Sequence, residues 1–455
     1  MRKVIGALLM CAAMTVSASG QNADDTTRLI DYTLANSRAY DHLSYLTDSI
    51  GARLSGSKGA ALAVAWATKQ FRSWGIDVRN ERVMVPHWVR GEERGLLVSH
   101  NNQRLVLTTI GGSVATPASG ITADVIEVKS FDELATLGRA KIAGKIVYFH
   151  NPMNMELVES GRAFEAYSDA VAYRGVGASR AAEYGAIATV IMSVGTASLR
   201  TPHTGSLRYD EKQPKIPAAA LSIEDAQLVH RLLSRGEKVR MHLVLTPKTL
   251  PDVESANVIA EIKGTEHPEE IVLVGGHLDS WDLGTGAIDN GSGVSMVMET
   301  FRVLKELGLK PKRTIRGVLF MNEENGLRGG KAYFENASKR EEISKHVAAI
   351  ETDAGAARPT GFTTTLHGDS LASLEARAQV LNRIAPMKFE SSRHTGADTS
   401  PLTDAGVAGF GLSPDGRHYF DYHHTPADTL DKVNPKELAQ DTAAVAGLTW
   451  ILANQ

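Results

Sequence analysis

Apolar residues return every three or four positions over Leu62, Ala63, Trp66, Ala67, Phe71 and Trp74, and Gly75 ends the run. That spacing predicts a core-facing helix within a helical stretch from Asp25 to about Trp74. Strand-like runs follow at Val78–Val85 and Leu96–Val98. A middle stretch has strands of its own at Asp124–Val128, Lys145–Phe149, Ala188–Met192 and Ile216–Ala220, with a helix over Ala178–Tyr184. From Ala256 onward strands and helices alternate: Val258–Ile262, Ile271–Gly275, a helix from about Gly293 to Leu307, Ile315–Phe320, a helix near Gly330–Asn336, and Val347–Glu351. Alternation of this kind predicts an α/β fold whose mixed, largely parallel sheet is flanked by helices. The changes of character predict four parts, 1–20, 21–94, 95–251 as an inserted domain, and 252–455.

Composition is ordinary for a globular protein, 43% hydrophobic and 22% charged, and 455 residues exceed one usual compact domain. The formal net charge of -3 comes from nearly balanced acids and bases without long runs of one sign. Nothing in it points to nucleic acid or to a polybasic membrane patch. The N-terminus reads Arg2-Lys3, an apolar stretch from Val4 to about Val16, then Ser17-Ala18-Ser19-Gly20. This is the layout of a signal peptide over 1–20, which predicts export to a periplasmic or extracellular space. The apolar run is short for a bilayer and no later segment approaches ~20 apolar residues, so no membrane span is expected. Cys11, the single cysteine, falls within the signal, so no disulfide is expected in the mature chain. Met10 before it is a poor match for a lipid-anchor site.

Candidate chemistry collects where strands should end. His277-Leu278-Asp279 follows one apolar run, Glu323-Glu324 another, and Asp353 a third, while Asp289-Asn290-Gly291 forms a turn that opens a helix. His424-Thr425 lies near the C-terminus, and His423 before it competes for the same role. Histidines mixed with carboxylates suit a borderline divalent cation such as zinc. A pair of such cations held by these motifs would ionise bound water, so hydrolysis is the expected chemistry.

These motifs resemble the co-catalytic di-zinc exopeptidases of the aminopeptidase and glutamate carboxypeptidase type. The resemblance covers essentially the whole mature chain, with 21–94 and 252–455 as the catalytic domain. It extends to 95–251, whose Gly144-Lys145-Ile146-Val147 and Gly185–Ile191 elements resemble the protease-associated domain. The resemblance implies two Zn2+ ions with Asp289 bridging them, one ion completed by Glu324 and His424 and the other by His277 and Asp353. It further implies Glu323 as general base, Asp279 as the carboxylate orienting His277, and a cis peptide between Asp289 and Asn290. Similar enzymes are often homodimers. Asp428 is expected either to cap a turn or to support the site.

The expected substrate is a short peptide or dipeptide cut at a terminal bond. A free carboxylate would call for a cation, with Arg328, Arg393 and Arg417 as candidates, and a free amine for an acid. Gly396–Pro401 and Tyr419–Tyr422 are candidate pocket walls. Two alternatives carry different chemistry: a single-zinc glutaminyl cyclase-type acyltransferase, and a noncatalytic peptide-binding protein. His277 with Asp353 argues against the first, and Glu323 against the second.

Overall fold

Two eight-stranded sheets organise residues 24–455, which the structure, a computed structural model, describes. The segment expected as a signal peptide at 1–20, and Cys11 within it, lies outside those residues. In the first sheet, His267–His277 runs parallel to Arg313–Phe320 on one side and to His346–Glu351 on the other. Ala408–Pro414 continues the parallel centre. Antiparallel strands flank it: Asp77–Val89 and Lys248–Ile262 on one side, and Pro359–Thr364, which pairs parallel with Lys388–Ser391, on the other.

The central strands are apolar on both faces because both faces are covered. Val272 and Val274 join the core beneath the helices Lys58–Ser73, Ser292–Glu306 and Pro435–Ala453, while Leu273 between them joins Tyr333 and Ala337 of the helix Arg328–Lys339. Capping fixes where helices start: Ser57 accepts the N–H of Ala60, and Asn434 accepts those of Lys436 and Glu437 with Pro435 opening the helix.

The second sheet lies between Glu93 and Leu245 in the sequence. Its order is Gln103–Leu105, Glu93–Leu97, Arg240–Leu245, Ile121–Val128, Ile146–Phe149, Ala188–Met192, Ala218–Leu221, Leu107–Thr109. One face packs on the helix Ile223–Ser234, and the helices Phe131–Ile142 and Ala163–Glu183 pack on strands from the other. Among the described residues, no helix is long and apolar enough to cross a membrane.

Several details depart from the sequence reading. The helical stretch is interrupted between Gly51 and Ser57, and Leu62 is 45% exposed, off the buried stripe of Ala63, Trp66, Ala67 and Phe71. The helix expected over Ala178–Tyr184 spans Ala163–Glu183; its buried face is mostly alanine and glycine, a weak hydrophobic signal. The strand Lys248–Ile262 begins ahead of the boundary expected at 251, because it pairs with Asp77–Val89 through almost its whole length.

Candidate metal centre

The parallel register sets the expected residues on one edge. His277 pairs with Phe320 and Gly275 with Glu351, so His277, Glu323, Glu324 and Asp353 all emerge at the carboxyl ends of three adjacent strands. Asp289 comes from the turn Ala287–Gly291, where Asp289 and Asn290 leave helical dihedrals and the peptide between them is cis. That turn approaches the strand end closely: a Cβ on Gly293 would fall 1.9 Å from the Thr352 carbonyl oxygen, so only glycine fits. His424 arrives on a loop with φ of 62°.

Asp289 stands at the middle, and its two oxygens face different partners. Oδ1 lies 3.0 Å from His277 Nε2, which in turn lies 3.3 Å from Asp353 Oδ1. Oδ2 lies 3.1 Å from His424 Nε2, which lies 3.0 Å from Glu324 Oε2. His423 Nε2 reaches Asp289 Oδ2 only at 3.4 Å, and its ring stacks on that of His424. His424 thus contacts two carboxylates of the set, whereas His423 contacts one.

Outer partners hold these groups in place. The Asp428 carboxylate accepts the backbone N–H groups of Ala287 (2.8 Å), Ile288 (2.7 Å) and Asp289 (3.2 Å). Asp279 does the same for the Glu323-Glu324 loop, accepting from Asn322 at 2.8 Å and Glu323 at 3.1 Å. Its carboxylate is 3.7 Å from His277 Nδ1, and the nearer oxygen, at 3.0 Å, is its own backbone carbonyl. Asp279 therefore acts on the glutamate loop as directly as on the imidazole. Arg53, fully buried, donates to the carbonyls of Leu278, Gly51, Thr285 and Gly286, tying the strand end to the turn that carries Asp289.

Negative charge is concentrated here. Burial, reinforced by Asp353, Glu324 and Asp398, pushes the half-buried Glu323 carboxyl well above its usual range. Burial and Asp289 push Glu324 up to about 7. Burial and Glu351 push Asp398 well up. Burial opposes charge on the histidines, yet Asp353, Asp279 and Asp289 hold His277 well above the imidazole range, and Glu324 and Asp289 raise His424 to about 9. Asp398 Oδ2 is buried without a hydrogen-bond partner among the described residues.

The second sheet's helix and loops cover this edge. Thr204 donates its N–H to the His424 carbonyl at 2.9 Å and offers its own carbonyl to His424 Nδ1 at 3.3 Å. Arg174, 7% exposed, donates to Tyr167 Oη at 2.7 Å and Thr204 O at 3.3 Å, and among the described residues it has no carboxylate partner and its Nε no acceptor. Burial holds the His203 imidazole neutral, down to about 3. Trp281 donates its backbone N–H to Glu324 at 3.1 Å and packs its indole against Gly111, where no side chain would fit.

Of the residues proposed for a substrate terminus, Arg328 pairs with Asp252, Arg417 with Asp415, and Arg393 is exposed. Gly396–Pro401 wraps the Glu351 carboxylate with the N–H groups of Ala397, Asp398 and Thr399. Tyr419 and Phe420 pack on Phe164 and on His423. Arg53, Arg174, His203 and Trp281 carried no motif; their place is set by chain segments far apart in sequence.

The pattern of peptidase family M28 matches residues 257–449. Carboxypeptidase Q of Mus musculus is 38% identical over 92% of this chain and 86% of its own length. A peptidase M28 precursor from Shewanella amazonensis SB2B, solved by crystallography, superposes with a TM-score of 0.91 at 38% identity, covering 96% of this chain and 97% of that one. A zinc aminopeptidase from Bacillus subtilis shares the fold at 22% identity and a TM-score of 0.67, over 91% of this chain and 95% of its own. Because the mouse relative is similar over nearly the full length and the family pattern spans the segment holding all the expected ligands, the chain belongs to peptidase family M28 and is a metallo-exopeptidase.

Proposed function

We propose that the protein is an exported di-zinc exopeptidase that removes a terminal residue from dipeptides and short peptides. The carrying observation is the division of Asp289: one oxygen faces His277 and Asp353, the other His424 and Glu324. Each half offers one imidazole nitrogen and carboxylate oxygens, a donor set that suits zinc. The buried Asp398 oxygen without a partner among the described residues, and the crowding that raises Glu323 and Glu324, fit an edge that two cations would neutralise.

Asp289 would bridge the ions, with His277 and Asp353 on one and Glu324 and His424 on the other; zinc bound there supplies positive charge that acidifies water and polarises the scissile carbonyl. Glu323 has no hydrogen-bonded partner for its carboxylate among the described residues and stays half-buried at the mouth, so it serves as the base that takes the water's proton and delivers it to the leaving amine. Asp279 and Asp428 do not touch the reacting atoms. They fix the loops that carry Glu323, Glu324 and Asp289. Arg174, a buried cation with no carboxylate partner among the described residues and with Nη1 3.5 Å from His424 Nδ1, supports binding of a substrate carboxylate beside this edge. The second sheet, read as a protease-associated domain, then closes the substrate's side of the site.

Mass-spectrometric analysis of a peptide library, with and without chelator, tests this together with zinc content. The expected result is single-residue trimming that stops on metal removal and returns with zinc, at two ions per chain. Internal cleavage, or trimming indifferent to chelation, overturns the reading.

A further inference from the structure

Outside this ligand set, the second sheet gathers another group of metal-binding side chains. Glu127 stands on the strand Ile121–Val128, His150 directly follows its neighbour Ile146–Phe149, and His230 lies on the covering helix Ile223–Ser234. His150 Nδ1 is 3.0 Å from Glu127 Oε1, and His230 Nδ1 is 3.0 Å from Oε1 and 2.9 Å from Oε2. The two rings lie 4.2 Å apart. We propose that Glu127, His150 and His230 hold a further divalent cation of the zinc type, independent of the peptidase centre.

Geometry and donor chemistry carry the proposal. Ligand atoms about 2.0–2.1 Å from a tetrahedral zinc lie roughly 3.3 Å from one another, so the two contacts between imidazole nitrogen and carboxylate oxygen need open by only a few tenths of an ångström. The outer nitrogens have partners of their own: His230 Nε2 faces Ser234 Oγ at 3.4 Å, and His150 Nε2 faces the Gln227 side-chain amide at 3.5 Å. Gln227 Nε2 donates to His150 Nε2, so His150 turns its Nδ1–H toward the Glu127 carboxylate, and a cation bound between them would take that proton's place.

Access and consequence follow from exposure and placement. His150 and Glu127 are 10% and 13% exposed, whereas the His230 side chain is 28% exposed, leaving a way in and room for water as fourth ligand. An ion there would staple the covering helix to two neighbouring strands. The grouping His267, Glu269 and Glu270 offers no such enclosure: His267 and Glu269 are exposed, and Glu270 is engaged by Arg313.

Zinc content after dialysis from excess zinc, measured on the full chain and on Glu127→Gln and His230→Gln, tests the site. Both positions lie outside the peptidase machinery, so retained peptide hydrolysis reports correct folding. The expected result is one zinc fewer per chain in each active variant, whatever the count at the peptidase centre. Equal zinc in all three proteins overturns the proposal and leaves a hydrogen-bonded triad. Cadmium-113 NMR of the unmutated protein needs no variant: a resonance beyond those of the peptidase centre is expected, and its absence refutes the site.

Discussion

Arg316 lies on the strand Arg313–Phe320 and Glu324 just past its end, yet their surroundings differ in kind. Around Arg316 opposite charges are matched: it donates to Glu261 at 2.6 Å and to Glu342 and Tyr333 at 3.0 Å, and Tyr333 meets His346 at 2.7 Å. Around Glu324 carboxylates outnumber cations, and Asp398 keeps a buried oxygen without a partner among the described residues. Burying an unmatched charge is costly, so a fold that closes its accounts at one place and leaves them open at another marks the second for a cation it binds. Stability should follow the first region and metal and turnover the second.

The largest separation is expected from Glu323→Gln. It removes the base while leaving every expected ligand in place, and kcat should fall by between about a hundred- and ten-thousand-fold, up to ~5.5 kcal/mol of barrier. Zinc content should stay at the unmutated level. Activity within a few-fold of normal would remove Glu323 from proton transfer.

Arg316→Met should do the reverse. Glu261 and Glu342 would lose a buried partner, at a cost on the order of 3–5 kcal/mol in denaturant unfolding. Metal content of the folded fraction should not change. Loss of zinc at full stability would show that the two regions are not separate.

A smaller effect comes from acid. Burial pulls His346 down to about 4, while the unfolded chain titrates near 6.5. Between these values the unfolded state binds more protons, so this contribution is complete above about pH 6.5 and lost as pH falls toward 4, about 3 kcal/mol in all. Unfolding free energies of metal-free protein at several pH values should show that slope, and His346→Gln should flatten it. An unchanged slope would place the acid sensitivity elsewhere.

How much of this division was legible in the sequence depends on chain distance. His277, Glu323-Glu324 and Asp353 each end an apolar run, and a parallel sheet brings such ends together, so the edge could be read before the fold. Asp289 was marked by its turn. The choice between His423 and His424 rested on resemblance, and the structure adds that only His424 contacts both Asp289 and Glu324. Arg174 was hidden because its helix buries mostly small residues and meets His424 across 250 positions. Arg53 was hidden because its partners are all backbone carbonyls, which leave no trace in side-chain pattern. The Arg316 network was equally silent, since Arg and Glu spaced along strands read as solvated surface.

The finest test is Asp428→Asn, because it changes an outer partner of the metal edge without touching an expected ligand. The carboxylate accepts the N–H groups of Ala287, Ile288 and Asp289. An asparagine oxygen can keep the first two, but its amide then meets the Asp289 N–H donor to donor. Folding should lose only about 1–2 kcal/mol, while zinc affinity should weaken by about 10–100-fold as Asp289 loses its anchor. Competition with a chelator of known affinity measures the second and denaturant unfolding the first. Should stability fall as far as in Arg316→Met with zinc affinity intact, Asp428 belongs with the matched network, and the metal edge is smaller than the distances around Asp289 imply.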